Sequence, residues 1–125
     1  MSKRALVVDD TMLNRKLAIA MLKREGWEAN EAESGEEALS KLGGEHGYHV
    51  VLLDIKMPGM SGEDVCRTLR ADPRTATLPL IAYTAHALED EQENFLTIGF
   101  DAVLIKPIEV DSLGAALKKA LAAHS

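Results

Sequence analysis

Five polar side chains each close a short apolar run of this sequence. Asp9 and Asp10 follow Leu6-Val7-Val8, and Asp54 follows Val50-Val51-Leu52-Leu53. Thr84 follows the run from Leu78 to Tyr83, and Lys106 follows the run from Ala102 to Ile105. Carboxylates brought together repel, so either one stays protonated or a cation sits among them. Oxygen ligands with no neighbouring His or Cys favour a hard ion, magnesium or calcium. The segment from Ile55 to Gly62 lacks the alternating acids of a calcium loop, which favours magnesium. An ammonium from Lys106 on the other side and a hydroxyl from Thr84 would complete a site for a phosphoryl group. Each residue also has a plain structural use. Asp10 suits a helix cap, Asp54 a turn, Thr84 a cap before Ala85, and Lys106 the bend before Pro107. Capping does not account for Asp54, because no helix begins for several residues after it.

The elements that would position this set alternate along the chain. Strands are expected over Ala5–Val8, Trp27–Ala32 (partly exposed, an edge), Val50–Leu53, Leu78–Tyr83 and Ala102–Ile105. Helices are expected over Met12–Arg24, Ser34–Leu42, Glu63–Arg70, Leu88–Ile98 and Val110–Ala123. In the first helix, apolar residues fall at Leu13, Leu17, Ala20, Met21 and Leu22, most of them on one face, with Ile19 out of phase. Ser34 and Glu37 have capping-box spacing. Five strands alternating with five helices predict an α/β fold, a parallel sheet covered on both faces. All strands then end at one edge, and the five polar residues meet there. One order that obeys the connection rules is the flavodoxin-like 2-1-3-4-5; the pattern alone does not select it.

Composition narrows the function classes. The 125 residues are 46% apolar and 27% charged, which fits one folded domain and not a disordered chain. The net charge of -6, with Lys and Arg scattered, gives no nucleic-acid footprint. Cys66 is the single cysteine, which excludes an intrachain disulfide and fits a reducing compartment. The apolar stretch near the N-terminus is too short for a signal peptide or a membrane span. A cytoplasmic protein with no membrane partner is expected.

Nearly the whole chain resembles the receiver domains of two-component response regulators. The residues that carry this are Val7-Val8-Asp9-Asp10, Leu52-Leu53-Asp54-Ile55-Lys56-Met57-Pro58-Gly59-Met60-Ser61-Gly62, Ala82-Tyr83-Thr84-Ala85 and Lys106-Pro107. The resemblance implies the (βα)5 order 2-1-3-4-5. It implies Asp54 as the nucleophile that takes a phosphoryl group from a phosphohistidine on a sensor histidine kinase or a histidine phosphotransfer protein. Asp10 would bind magnesium directly, Asp9 mainly through water, and the Lys56 backbone carbonyl would add a ligand. Thr84 would hydrogen-bond the phosphoryl oxygens, Lys106 would pair with them, and the Lys106-Pro107 bond would be cis. The readout would be altered binding of a downstream protein on the fourth helix, fifth strand and fifth helix.

Two positions qualify that expectation. The family usually carries Tyr or Phe where this chain has Val103, and a β-branched side chain cannot swing as a ring does. Signalling is therefore expected to rely on Thr84 and the loop after it. Lys56 and His86 match positions flanking the path of hydrolytic water, so their bulk and charge are expected to set the dephosphorylation rate. Residues 1–125 are read as one receiver domain with no output domain, a stand-alone regulator. A receiver cut from a hybrid histidine kinase is the alternative, since Asn14-Arg15 and Thr84-Ala85-His86-Ala87 resemble those. A small phosphatase with an aspartyl-phosphate intermediate would want an acid where Lys56 stands. Apart from catalysing its own phosphorylation and dephosphorylation, the chain is not expected to be an enzyme. Cys66, Met57 and Met60 are read as packing residues, and His46, His49 and His124 show no metal-ligand spacing.

Overall fold

A computed structural model describes residues 3–44, 46–85 and 87–124. Ten elements alternate: β1 (Arg4–Val8), α1 (Met12–Arg24), β2 (Glu28–Ala32), α2 (Gly35–Leu42), β3 (Val50–Asp54), α3 (Gly62–Ala71), β4 (Leu80–Thr84), α4 (Glu89–Ile98), β5 (Ala102–Ile105) and α5 (Val110–Ala122). All neighbouring strands are parallel, in the order β2-β1-β3-β4-β5. Strand order reverses between β1 and β3, which opens a crevice at their carboxyl ends.

Side chains alternate across the strands, and two cores result. Ala5, Val7, Val50, Leu52, Ile81, Tyr83, Ala102 and Leu104 pack with α1 and α5 residues such as Leu22 and Leu113. Leu6, Val8, Val51, Leu53, Leu80 and Ala82 pack with Leu42, Val65, Leu69 and Phe95 of α2, α3 and α4. Because the three central strands are covered on both faces, they carry near-continuous apolar runs, Ala5–Val8, Val50–Leu53 and Leu80–Tyr83. β2, at the edge, is half exposed and alternates.

Where boundaries differ from the sequence reading, backbone hydrogen bonds give the reason. Trp27 is outside β2 because its N–H closes α1 onto the Leu22 carbonyl. Gly26, with φ of +86°, makes that turn. β4 starts at Leu80 because the Leu78 N–H is bound to Thr75 in a turn, and it runs on to include Thr84. Asp54 likewise ends β3 instead of following it, paired with Tyr83. Ser34 caps α2 by accepting from the Glu37 N–H, but the Glu37 carboxylate accepts from the Glu33 N–H, so the expected box is not closed. A true box forms one helix later, between Ser61 and Asp64.

The core face of α1 also differs. Arg15, Ala18, Ile19 and Leu22 are buried there, and Leu13 and Leu17 are exposed. The buried set keeps i, i+3, i+4, i+7 spacing, with an arginine at its first place. That arginine is held on the rim of the sheet, where its charge has partners.

Candidate functional site

β1, β3, β4 and β5 deliver Asp9, Asp10, Asp54, Thr84 and Lys106 to one end of the sheet. Asp10, Thr11, Asp54, Lys56, Thr84, Ala85 and Lys106 line a cleft of about 330 Å³ there. Asp9 lies beneath it, fully buried. One oxygen from each of Asp9, Asp10 and Asp54 lies within 4.8 Å of the others. The donors are all hard oxygens, so this set fits a magnesium ion. His86 lies outside the described residues.

Lys106 is not opposite the acids, as the sequence reading had it, but among them. Its Nζ donates to Asp9 Oδ2 at 2.9 Å and to Asp54 Oδ1 at 3.1 Å. The reason is geometric. Two strand spacings, roughly 10 Å, separate β5 from β3, and the long lysine stem crosses β4 to reach the carboxylates. The crossing passes over Tyr83, whose ring centroid is 4.3 Å from Nζ. The Lys106-Pro107 bond is cis.

Both oxygens of Asp9 are committed. Oδ1 accepts from the Thr11 N–H at 2.8 Å and Oδ2 from Lys106. Asp10 is exposed at the mouth and caps no helix; Thr11 is the N-cap residue of α1, with no side-chain bond to it. Asp54 is 6% exposed, and its carboxyl is pushed up to about 6. Burial is the largest cause, opposed by the Lys106 charge and then reinforced by the Asp9 charge. Burial first, then the charges of Asp9 and Asp54, raise the Tyr83 hydroxyl well above its ordinary value. Thr84 is buried at the end of β4, and Lys106 N–H donates to its carbonyl at 2.8 Å.

The backbone around Asp54 is held closely. Gly59, with φ of +76°, turns the loop after β3. The Gly62 N–H then donates to the Ile55 carbonyl at 3.0 Å. A Cβ on Gly62 would stand 2.1 Å from the Asp54 carbonyl oxygen. Glycine at this place lets the start of α3 lie directly against the residue that carries the central carboxylate.

Sequence reasoning missed Arg15, which organises the acidic turn from behind. Its Nη1 donates to the Asp9 carbonyl at 2.7 Å, and its Nε pairs with Glu31 at 2.7 Å. Lys16 first and then Arg15 hold the Glu31 carboxyl below its ordinary value. Arg15→Ala leaves the Asp9 carbonyl without this donor and removes a buried stem, while Lys16 still serves Glu31. A loss of about 1–2 kcal/mol is expected in a urea titration. No change in midpoint would show the contact to be inert. The remaining candidates are structural. Cys66 is buried, its thiol pushed up to about 11 by burial. Met57 and Met60 pack into the second core. His49 accepts from the Arg4 N–H, His46 from the Tyr48 N–H, and His124 meets Asp101 at 2.8 Å.

A doubly wound parallel sheet with acids and a lysine at its switch point defines a flavodoxin-like α/β domain with its charged site at the strand ends. The description "Response regulator receiver domain" matches residues 5–118, and the chain belongs to that family, the receiver modules of two-component signalling. It is 42% identical over 116 residues to the aerobic respiration control sensor protein ArcB of Escherichia coli, spanning 91% of this chain but 14% of that protein. It is 36% identical over 110 residues to the polar-differentiation response regulator DivK of Brucella ovis, spanning 88% of this chain and 89% of that one. The crystal structure of a response regulator receiver protein from Pseudomonas putida is similar at a TM-score of 0.84 and 31% identity, covering 95% of this chain and 98% of that one. Receiver domains act with histidine kinases or phosphotransfer proteins and with downstream targets. Among the described residues, no helix is long and apolar enough to cross a membrane.

Proposed function

We propose that Asp54 accepts a phosphoryl group from a histidine kinase or a histidine phosphotransfer protein, with a magnesium ion held by Asp9, Asp10, Asp54 and the Lys56 carbonyl. The observation that supports this best is the meeting of Lys106 Nζ with Asp9 and Asp54 in a buried cleft at the strand ends. One Asp54 oxygen attacks phosphorus, the P–N bond to the donor imidazole breaks, and the imidazole leaves and takes up a proton. The bound ion supplies positive charge to the oxygens of the transferring group. Lys106 exchanges a carboxylate oxygen for a phosphoryl oxygen, and Thr84 hydrogen-bonds another. Asp9, already engaged at both oxygens, suits contact through water, and the exposed Asp10 suits direct ligation. The exposed Met12, Leu13 and Leu17 stand on α1 beside the acidic turn and offer the donor protein an apolar face.

Incubation with a small phosphodonor and magnesium, followed by intact mass measurement, tests this reading. The expected result is one phosphoryl group per chain on the wild type and none on Asp54→Asn. An adduct that survives the substitution, or no adduct on either chain, overturns it. Output through a downstream protein is proposed to run through Thr84 and the following loop, because Val103 is a small aliphatic side chain packed against the second core. Val103→Ala should therefore leave the phosphorylation-dependent gain in partner affinity within about twofold. Loss of that gain in a titration against the phosphorylated chain would place the switch at position 103.

A further inference from the structure

The aliphatic run of β4 ends in a tyrosine, and the sheet places it beside both charged partners of the site. Tyr83 pairs with Asp54 on one side and with Leu104 on the other. Tyr83 and Leu104 share the α1/α5 face of the sheet, and Lys106, two residues past Leu104, leaves β5 on that same face. The lysine stem then runs over the Tyr83 ring, with Nζ 4.3 Å from its centroid. Three contacts hold the ammonium: the Asp9 and Asp54 oxygens and this ring.

These contacts do not behave alike during phosphoryl transfer. The attacking Asp54 oxygen becomes the bridging oxygen of a mixed anhydride and loses its charge. Its electron pair forms the O–P bond, while the donor nitrogen leaves with the P–N pair and takes up a proton. The ring face stays where it is, because Tyr83 is 1% exposed and packed in the first core. A lysine on a flexible four-carbon stem, beside the partly exposed end of β5, otherwise has an easy path toward solvent. The face of a buried ring attracts an ammonium whatever the state of the neighbouring carboxylate.

We propose that Tyr83 is a positioning residue for phosphoryl transfer, its ring holding the Lys106 ammonium at Asp54 while the carboxylate changes from acceptor to acyl phosphate. The inference rests on Asp54 being the phosphoacceptor.

The test compares Tyr83→Leu and Tyr83→Phe, each alone and with Lys106→Ala, in the rate of acyl-phosphate formation from phosphoramidate with magnesium. Tyr83→Leu should slow the reaction roughly tenfold, within the range of a desolvated cation–π contact. Tyr83→Phe, which keeps the ring, should restore most of the rate. In the Lys106→Ala background, Tyr83→Leu should have no further effect, because the contact it removes is already gone. A second readout does not require phosphotransfer. The chain has two tyrosines, so 3-fluorotyrosine labelling gives two fluorine resonances, assigned with Tyr48→Phe. Lys106→Ala should shift the Tyr83 resonance and leave that of Tyr48 in place. The inference is overturned if Phe fails to restore the rate, if Leu slows both backgrounds equally, or if the Tyr83 resonance does not respond. A wild-type chain that takes no phosphoryl group overturns the assignment of Asp54 and this inference with it. An active wild type with an unmoved Tyr83 resonance sinks the Tyr83 role alone.

Discussion

At pH 7.5 and without divalent cations, the Asp54→Asn chain is expected to melt about 3–10 °C above the wild type. The fold holds the Asp54 carboxyl at about 6, above its ordinary 3.8, mainly through burial. A carboxyl raised in this way binds its proton more tightly in the folded state than in the unfolded one. Stability therefore falls as pH rises through the window from about 4 to about 6, and the cost is fully present above it. Ionising Asp54 inside the fold costs on the order of 1–3 kcal/mol at neutral pH. Asparagine keeps the shape and removes the charge. Lys106 loses one partner by the change but keeps Asp9 at 2.9 Å, so its own charge stays compensated. The difference between the two chains should shrink as pH falls and vanish only below about 3.8, where the unfolded state of the wild type also takes up the proton. Magnesium should narrow or invert the gap at neutral pH, since a ligand bound at one hundred times its Kd adds about 2.7 kcal/mol to the chain that holds it. Thermal melts across pH 4–8, with and without magnesium, read all three effects. An Asn variant less stable at pH 7.5, or a gap that ignores pH, would show that Asp54 carries no such strain.

The element order and the convergence of the acids with Lys106 were legible because they depend on patterns that sequence states directly. Val50 to Leu53 must be buried on both faces, and whatever follows such a run lies at the sheet edge. The 2-1-3-4-5 order was not in the pattern; it came with the resemblance and agrees with the observed sheet. Misread elements share a cause, which is that a polar atom or a backbone N–H is spent on a partner that residue type and periodicity do not name. Arg15 is absent from the apolar face read for α1, yet it belongs to the buried face because Glu31 and the Asp9 carbonyl accept from its guanidinium. Leu13 and Leu17 were assigned to the core by type and stand in solvent. Lys106 was placed opposite the acids because sequence gives its strand but not the reach of its stem across β4. Tyr83 passed as one more apolar residue of a buried strand, and only the register beside Asp54 shows what its ring faces. Types and periods predicted where the backbone goes; long side chains crossing between strands decided what touches what.

Gly62→Ala is expected to damage both the fold and the site, and the same substitution at Gly114 is expected to do the reverse. At Gly62 the added methyl would lie 2.1 Å from the Asp54 carbonyl oxygen and 2.9 Å from its carbon. An ordinary C···O approach is roughly 3.3 Å or more, so the start of α3 and the end of β3 must separate by about 1 Å. Neither side yields easily. α3 is fixed by the Ser61–Asp64 capping box and by Val65, Cys66 and Leu69 in the core, and Asp54 is the last paired residue of a central strand. Overpacking against backbone should cost about 2–3 kcal/mol, more than the gain of up to ~1 kcal/mol from replacing glycine in a helix. A 1 Å displacement of the attacking carboxylate should also slow phosphoryl uptake on the order of a hundredfold. At Gly114, inside α5, the methyl would meet only Glu25 Oε1 at 3.5 Å, an ordinary contact. Alanine there should stabilise the chain by about 0.5–1 kcal/mol and leave phosphoryl uptake unchanged. Urea titrations and acyl-phosphate formation rates on the two variants separate these outcomes. A Gly62→Ala chain as stable and as reactive as the wild type would mean that α3 can lift away from Asp54, and that the close approach does not fix the carboxylate.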